Sequence, residues 1–174
     1  IKSSRPILLM ILMMGFVTTF SMSFGVWMPL LARDVLDRGA GGFGLLMSML
    51  GLGAMIGGLA LAFSGSRRPS STIIPITAGL LASACIVIAT AGLIDAPLFA
   101  FLIFLPIAGF MQTFTASLSN SSVQMLAPDE LRGRVISIYF MVFNTGIPVG
   151  ALIAGATSEW LGMPGSMLIG GIVA

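Results

Sequence analysis

The chain has 174 residues, of which 57% are hydrophobic and only 8% are charged. Because soluble proteins carry about 25% charged residues, this composition excludes a water-facing surface and predicts a protein that lies in lipid. The net charge of +2 comes from basic residues spread over separate short segments, so we predict no nucleic-acid partner.

Five uncharged runs follow one another along the chain. They span residues 6–32, 39–66, 69–94, 96–128 and 135–158. Each is longer than the ~20 residues that cross ~30 Å of hydrocarbon as a helix. A helix satisfies every backbone N–H and C=O within the segment, as lipid requires, and the alternation typical of barrel strands is absent. The sequence therefore predicts an all-α membrane protein, a polytopic transmembrane helix bundle.

Short connections divide this bundle into a series of helices. We predict them at about 6–28, 44–63, 72–94, 97–124, 134–158 and 164–174. The sequence begins with Ile1 rather than Met and stops at Ala174 inside an apolar run, so we interpret it as part of a longer protein.

The basic residues indicate an orientation. Six of them, Lys2, Arg5, Arg67, Arg68, Arg132 and Arg134, fall in segments that share one side of the predicted bundle. The other side carries Arg33 and Arg38, each beside an acidic residue. By the positive-inside rule, we expect the N-terminus of this sequence to be cytoplasmic.

Glycines are concentrated on two predicted helices. The second carries Gly53 and Gly57 four residues apart, and the fifth carries Gly146 and Gly150 at the same spacing. Small residues at this spacing let helices approach closely in lipid. We expect close contacts at both pairs, with the two helices packing against each other.

Polar side chains are concentrated on the fourth predicted helix. One row consists of Thr113, Ser117, Asn120 and Gln124, and a second row beside it consists of Gln112, Thr115 and Ser119. The fifth predicted helix adds Ser137 and Asn144 as an opposite wall. Because an amide in hydrocarbon needs partners or water, these rows are expected to face the interior or a wet cavity. Two interpretations stay open, interhelical hydrogen bonding and contact with a substrate.

Catalytic chemistry has no support in the sequence. No Asp, Glu, Lys, Arg or His lies in the middle of a predicted span, and no nucleotide-binding, metal-binding or nucleophile motif is present. We therefore predict no enzyme, no cofactor and no metal site. The single cysteine, Cys85, has no disulfide partner and is interpreted as a small buried hydrophobe.

The densest group of charges lies at 127–135. Pro128 is expected at the first position of a helix, with Asp129 and Glu130 beside the positive end of the helix dipole. The spacing also predicts ion pairs from Glu130 to Arg134 and from Asp34 to Arg38. Two roles stay open for this segment, topological anchoring and an interdomain latch.

The same segment carries a family resemblance. The stretch 120–139, NSSVQMLAPDELRGRVISIY, resembles the loop before the eleventh helix of major facilitator superfamily exporters, in the branch that contains the enterobactin exporter and the transmembrane secretion effector permeases. Segments 28–36, 42–46 and 51–57 resemble that branch's seventh and eighth helices. The resemblance implies helices 7 to 11 and part of 12 of a twelve-helix secondary transporter in the bacterial inner membrane.

The resemblance also implies an activity, namely export of small amphipathic molecules, such as a drug or siderophore, by alternating access. The partners would be the lipid bilayer, the small-molecule substrate and an N-terminal half outside this sequence. We predict substrate contacts at Gln112, Thr115, Asn120 and Asn144. We predict gating roles for Asp129, Glu130, Arg132, Arg134, Gly146, Pro148 and Gly150. Two alternatives stay open, a membrane subunit of an ATP-driven transporter and a non-transporting membrane scaffold.

Overall fold

The computed structural model describes residues 4–63 and 73–174, and the regular elements in these ranges are all helical. They are α1 (Ser4–Phe20), α2 (Phe24–Leu30), a π-helical turn (Leu31–Val35), α3 (Gly39–Phe63), α4 (Ile73–Leu93), α5 (Leu98–Leu126) and α6 (Arg132–Val173). Five helical stretches are long and apolar enough to cross a membrane, which confirms the predicted fold class. Lys2 and the predicted 64–71 connection with Arg67 and Arg68 lie outside the described residues.

The first predicted helix, 6–28, is interrupted. α1 ends at Phe20 and α2 begins at Phe24, so residues 21–23 leave the helix. Hydroxyls on the approach to the break bond the helix's own carbonyls, since Thr18 donates to Met14 O (2.9 Å) and Thr19 to Gly15 O (2.7 Å). Such bonds compete with the regular ladder and bend helices. A hydropathy reading of the sequence does not reveal the break, because residues 21–23 lie inside the uncharged run 6–32.

α6 turns back on itself at Gly162. This glycine has φ of +71°, a backbone conformation that favours glycine because it has no Cβ. An N-terminal arm, 132–161, precedes the turn, and a C-terminal arm, 163–173, follows it. The C-terminal arm lies against α4, where the Pro164 ring contacts Gly92 and Ile86 contacts Gly171. The sequence predicts a connection at 159–163, between the helices at 134–158 and 164–174. In the structure, most of this connection is helical.

α3 and α5 touch backbone to backbone. A Cβ on Gly53 would overlap the carbonyl oxygen of Pro106, and one on Gly109 would overlap the carbonyl oxygen of Leu50. Gly57 lies near the next turn of α5, where a Cβ would be 3.0 Å from the Phe110 carbonyl oxygen. The expected tight packing is present, but the expected partner is wrong, because the α3 glycines meet α5 rather than α6.

The α6 glycines have a different neighbour. Gly146 lies directly against the Thr18 side chain, and Gly150 against the Thr19 carbonyl oxygen. On α1, Gly15 lies against the Val142 side chain. The N-terminal arm of α6 therefore runs parallel to α1 and packs against the end of α1 that precedes the helix break.

The apolar interior is shared among all these helices. Its largest fully buried side chains include Trp27, Met28, Leu46, Leu81, Ile88, Phe101, Leu105 and Met167. Cys85 is also fully buried, in agreement with its interpretation as a small hydrophobe, and its Sγ lies 3.8 Å from the carbonyl oxygen of Ser21. Cys85 thus places the middle of α4 beside the break between α1 and α2.

Two glycines of α3 give a matched test of this packing. We expect Gly53→Ala to destabilise the protein by about 1–3 kcal/mol, because the new methyl group overlaps the α5 backbone. Gly51→Ala is the control, since its Cβ would meet nothing within 4 Å. Thermal unfolding in detergent measures both variants. Equal midpoints for the two would contradict the α3–α5 contact.

Candidate functional site

The charged segment between α5 and α6 forms a turn rather than a helix start. The Leu131 N–H donates to Pro128 O (3.0 Å), and α6 begins only at Arg132. The expectation that Pro128 opens the helix is therefore wrong, because the proline heads the preceding turn. Asp129 and Glu130 consequently lie before the first helical turn. We call this end of the bundle, which also carries Arg5 at the start of the parallel α1, the arginine end.

The ion pairs differ from those that the spacing predicts. At the arginine end Arg132 binds Asp129 (2.6 Å), in place of the predicted pair between Glu130 and Arg134. At the opposite end Asp34 binds Arg33 (3.0 Å), in place of Arg38. The predicted spacing needs continuous helix, whereas both segments lie where regular α-helix begins or ends. The four paired side chains are substantially exposed, and such pairs are worth only about 0–1 kcal/mol.

The predicted substrate residues occupy three different environments. Thr115 is fully buried, Gln112 and Asn120 are half-buried, and Asn144 is exposed on α6. Asn120 accepts a hydrogen bond from Gln124 (2.9 Å), and the Asn144 amide donates to the Phe140 carbonyl of its own helix (2.8 Å). None of the four lines either of the two cavities described below, and their contact with substrate stays a prediction.

A concave surface does open between α1 and the N-terminal arm of α6, and we call it the α1–α6 groove. It has a volume of about 380 Å³. Its apolar lining consists of Leu12, Phe16, Phe20, Met141, Val142 and Val149. Gly15 and Gly146 lie at its base, where the two helices touch, and Thr19 and Thr145 supply its hydroxyls. Ligand pockets are typically of this size, mostly apolar with a few polar groups.

The two threonines of the groove differ in what they offer a ligand. Thr19 donates its hydroxyl hydrogen to Gly15 O (2.7 Å), so only its oxygen lone pairs remain. Thr145 is exposed, and its hydroxyl has no hydrogen-bond partner within the described ranges. Thr145 is therefore the free donor of the groove. Sequence reasoning missed the groove, although the glycines at its base were a signal for close approach.

A second cavity, of about 480 Å³, lies between α6 and the segment formed by α2 and the π-helical turn, toward the opposite end of the bundle. Val26, Pro29, Leu30 and Met163 line it with apolar surface, and Asp34, Ser158 and Glu159 supply its polar groups. The two cavities thus share α6 as one wall, and the outer one carries two carboxylates.

A polar cluster ties α2 to both arms of α6 beside this outer cavity. The buried Trp27 Nε1–H donates to Ser166 Oγ (3.2 Å), and Ser166 donates to the Ala154 carbonyl (3.1 Å). Thr157 Oγ1 lies 2.7 Å from Ser166 Oγ. Ser166 is therefore the common partner of three elements around the Gly162 turn. Its contact with Trp27 joins residues 139 positions apart, so no local pattern in the sequence could have indicated it.

Comparison with known families decides what kind of protein carries these cavities. The family model described as transmembrane secretion effector, a major facilitator superfamily (MFS) type, matches residues 1–174. The chain belongs to the transmembrane secretion effector family. No curated protein and no solved structure matches it.

Membership in the transmembrane secretion effector family confirms the resemblance found in the sequence, so the chain is an integral membrane protein of a transporter family. A transporter needs a surface for cargo rather than reactive groups. In residues 5–63 and 73–174, no three or more His, Cys, Asp or Glu side chains are placed to hold a metal ion. The α1–α6 groove and the outer cavity are concave surfaces of a size that suits a small cargo molecule.

The predicted gating glycines of this family member are packing residues in the structure. α6 stays helical through Gly146, Pro148 and Gly150, and within α6 the backbone leaves helical geometry at Gly162. Gly146 and Gly150 have no room for a Cβ against α1. A gating role for these residues and for the charged turn stays a prediction.

The polar cluster yields a stability test. We expect Ser166→Ala to lower the free energy of unfolding by about 1–3 kcal/mol, because the Trp27 N–H would be left buried without an acceptor. Ser83→Ala is the matched control, since the exposed Ser83 hydroxyl donates to Leu80 O in its own helix (2.9 Å). Chemical or thermal unfolding in detergent measures the difference. A shift no larger than that of the control would argue against the cluster.

Proposed function

We propose that the protein exports small amphipathic molecules as a secondary transporter that works by alternating access. Three features support the proposal: the membership in a family of transmembrane secretion effectors, the apolar groove with its free hydroxyl, and the acidic outer cavity further along α6. The observation that carries it is the α1–α6 groove. An apolar pocket of about 380 Å³ with one free donor suits a molecule with a large apolar body and a polar group.

In this proposal one face of the bundle contacts the other half of the transporter, and the remaining surface contacts lipid. The groove would bind the substrate and face an N-terminal half outside this sequence, and the remaining apolar surface would face the bilayer. Exposed large hydrophobic side chains occur along α1, α3, α4, α5 and α6, as expected of helices whose surroundings are lipid or another helix bundle. In secondary transporters, substrate sites lie near the midplane between two such bundles.

The proposal also includes the orientation of the bundle and the membrane in which it lies. The arginine end would lie in the cytoplasm of a bacterial cell, because short basic segments stay on the cytoplasmic side of the inner membrane. Export would then run from the groove to the acidic outer cavity. The acidic residues Asp34 and Glu159 at that cavity would favour a substrate whose polar group is cationic.

Filling the groove tests the proposal. We expect Thr145→Phe in the full-length protein to lower the efflux rate of amphipathic dyes by about tenfold or more, because the ring occupies the pocket and removes the free hydroxyl. Ile147→Phe is the control, since Ile147 is exposed on the same helix but does not line the groove. Asn144→Ala and Gln112→Ala, measured in the same assay, test the sequence-predicted contacts.

Outcomes of this assay separate the competing functions. Equal efflux by Thr145→Phe and Ile147→Phe would remove the groove from the transport path. Efflux that survives collapse of the ion gradients but stops on ATP depletion would indicate a subunit of an ATP-driven transporter. No efflux of any dye by the wild-type protein, at normal expression, would favour a membrane scaffold.

A further inference from the structure

Two rows of exposed side chains lead from the arginine end into the α1–α6 groove, and we call them the groove rows. The α1 row consists of Arg5, Leu8, Leu12 and Phe16, and the α6 row consists of Arg134, Ile138, Met141, Thr145 and Val149. Steps of three or four residues place each row on one face of its helix. The later members of both rows line the groove. The two arginines therefore lie on the same helix faces as the groove.

The groove rows share one composition. Their large apolar side chains are 43–64% exposed, and each row begins with an arginine. Apart from those arginines, the one polar member of the rows is Thr145, three turns further along α6. A surface that is cationic at one end and apolar along its length is complementary to an amphiphile with an anionic head and an apolar tail.

The two arginines lie at similar levels of the bundle. α1 and the N-terminal arm of α6 are parallel, and they touch where Gly15 meets Val142. Arg5 precedes Gly15 by ten residues, and Arg134 precedes Val142 by eight. At ~1.5 Å per helical residue, both arginines lie about 12–15 Å from that contact, on the same side of it. Each wall of the groove therefore carries one arginine toward the arginine end.

The charges of these two arginines are available to a ligand. Among the described side chains, the ion pair at the arginine end joins Arg132 to Asp129. Arg5 and Arg134 are exposed and have no carboxylate partner in that part of the chain. A guanidinium group binds phosphate oxygens through parallel N–H donors. The two side chains are thus suited to a phosphate group.

The length of the groove rows indicates where the phosphate comes from. The hydrocarbon of a bilayer is ~30 Å thick, so one leaflet supplies about 15 Å of acyl chain. This matches the 12–15 Å between the arginines and the contact of Gly15 with Val142, at the base of the groove. A free anion would use the arginines alone and would leave the exposed apolar side chains uncovered. A phospholipid covers both parts of the surface.

We propose that the groove rows bind one anionic phospholipid of the leaflet at the arginine end. Its phosphate lies at Arg5 and Arg134, and one of its acyl chains lies along the apolar side chains into the α1–α6 groove. Basic residues beside membrane helices bind anionic headgroups in this way. The bound lipid fills the apolar part of the groove that is otherwise exposed.

The lipid and an exported molecule would compete for the groove, and this consequence rests on the proposed function. In that proposal the groove faces the other half of the transporter. A lipid would enter from the arginine end when the two halves stand apart there. The lipid site itself does not depend on the exported molecule, because its binding is measured without any cargo.

Native mass spectrometry of the full-length protein in detergent tests the headgroup contacts. We expect the wild type to retain phosphatidylglycerol, which is anionic, in preference to the zwitterionic phosphatidylcholine. Arg5→Gln and Arg134→Gln should each weaken phosphatidylglycerol binding about fivefold, the effect of one arginine near an anionic lipid. Arg38→Gln is the matched control, since Arg38 is an exposed arginine at the opposite end of the bundle.

Three outcomes of this titration would overturn the proposal. The first is equal retention of the two lipids by the wild type. The second is a loss in the Arg5 and Arg134 variants no larger than that in Arg38→Gln. The third is release of phosphatidylglycerol by excess inorganic phosphate, which would indicate a site for a free anion only.

Cross-linking tests the position of the acyl chain. One equivalent of phosphatidylglycerol with a photoreactive group in its acyl chain is added to the full-length protein in detergent. We expect cross-links to Phe16 and Met141, and few to Ile147, which is exposed on α6 outside the groove. Cross-links to Met141 no more frequent than those to Ile147 would overturn the acyl-chain placement. An amphipathic dye should reduce the Met141 cross-links, and cross-links that persist at saturating dye would contradict competition in the groove.

Discussion

Close approach of helix backbones at glycine positions holds this bundle together. In lipid the hydrophobic effect does not drive helices together, so association depends on packing and on hydrogen bonds between them. Gly53 and Gly109 join α3 to α5, Gly146 and Gly150 join α6 to α1, and Gly171 joins the C-terminal arm to α4. The side chains that line each cavity are placed by these contacts. The α1–α6 groove in particular exists because Gly15 and Gly146 bring two helices together beneath larger residues.

The bundle handles its polar groups in two ways. Several hydroxyls that face outward, such as Ser83 and Ser137, bond their own helix and so present little polarity to the surroundings. Polar groups that join elements are few, and they cluster where helices break. Ser166 connects Trp27 to the Ala154 carbonyl beside the Gly162 turn. Local rigidity is thus concentrated near the outer cavity, whereas the half of α5 toward the arginine end lacks direct side-chain bonds at its buried hydroxyls.

The sequence predicts the fold class well because uncharged runs longer than a bilayer leave the chain few alternatives. It predicts that Gly53, Gly57, Gly146 and Gly150 make close contacts, but not with which helix. A small-residue pattern identifies a face, and only the three-dimensional arrangement supplies the partner. The break at 21–23 and the pairing of Asp129 with Arg132 depend on turn geometry that neither hydropathy nor i, i+4 spacing contains.

The candidate site was less predictable than the fold. Asn144 and Gln112 are conspicuous in the sequence because amides are rare in hydrocarbon, yet they do not line the α1–α6 groove. Thr145, next to Asn144 in the chain, does line it. Which of two adjacent polar residues faces a cavity is decided by the rotation of α6 against α1. That rotation follows from Gly146 and Gly150, whose partner could not be read from the sequence.

The turn at Gly162 also bears on the order in which the bundle assembles. α1 and α4 make few contacts with each other, and both pack against α6. Its C-terminal arm contacts α4 at Gly92 and Gly171, and it contacts the Phe20 carbonyl and Trp27 at Gly170. During synthesis the C-terminal arm leaves the ribosome long after α1 and α4 have entered the membrane. The space between α1 and α4 therefore stays open during synthesis, and it is filled only when the chain folds back at Gly162.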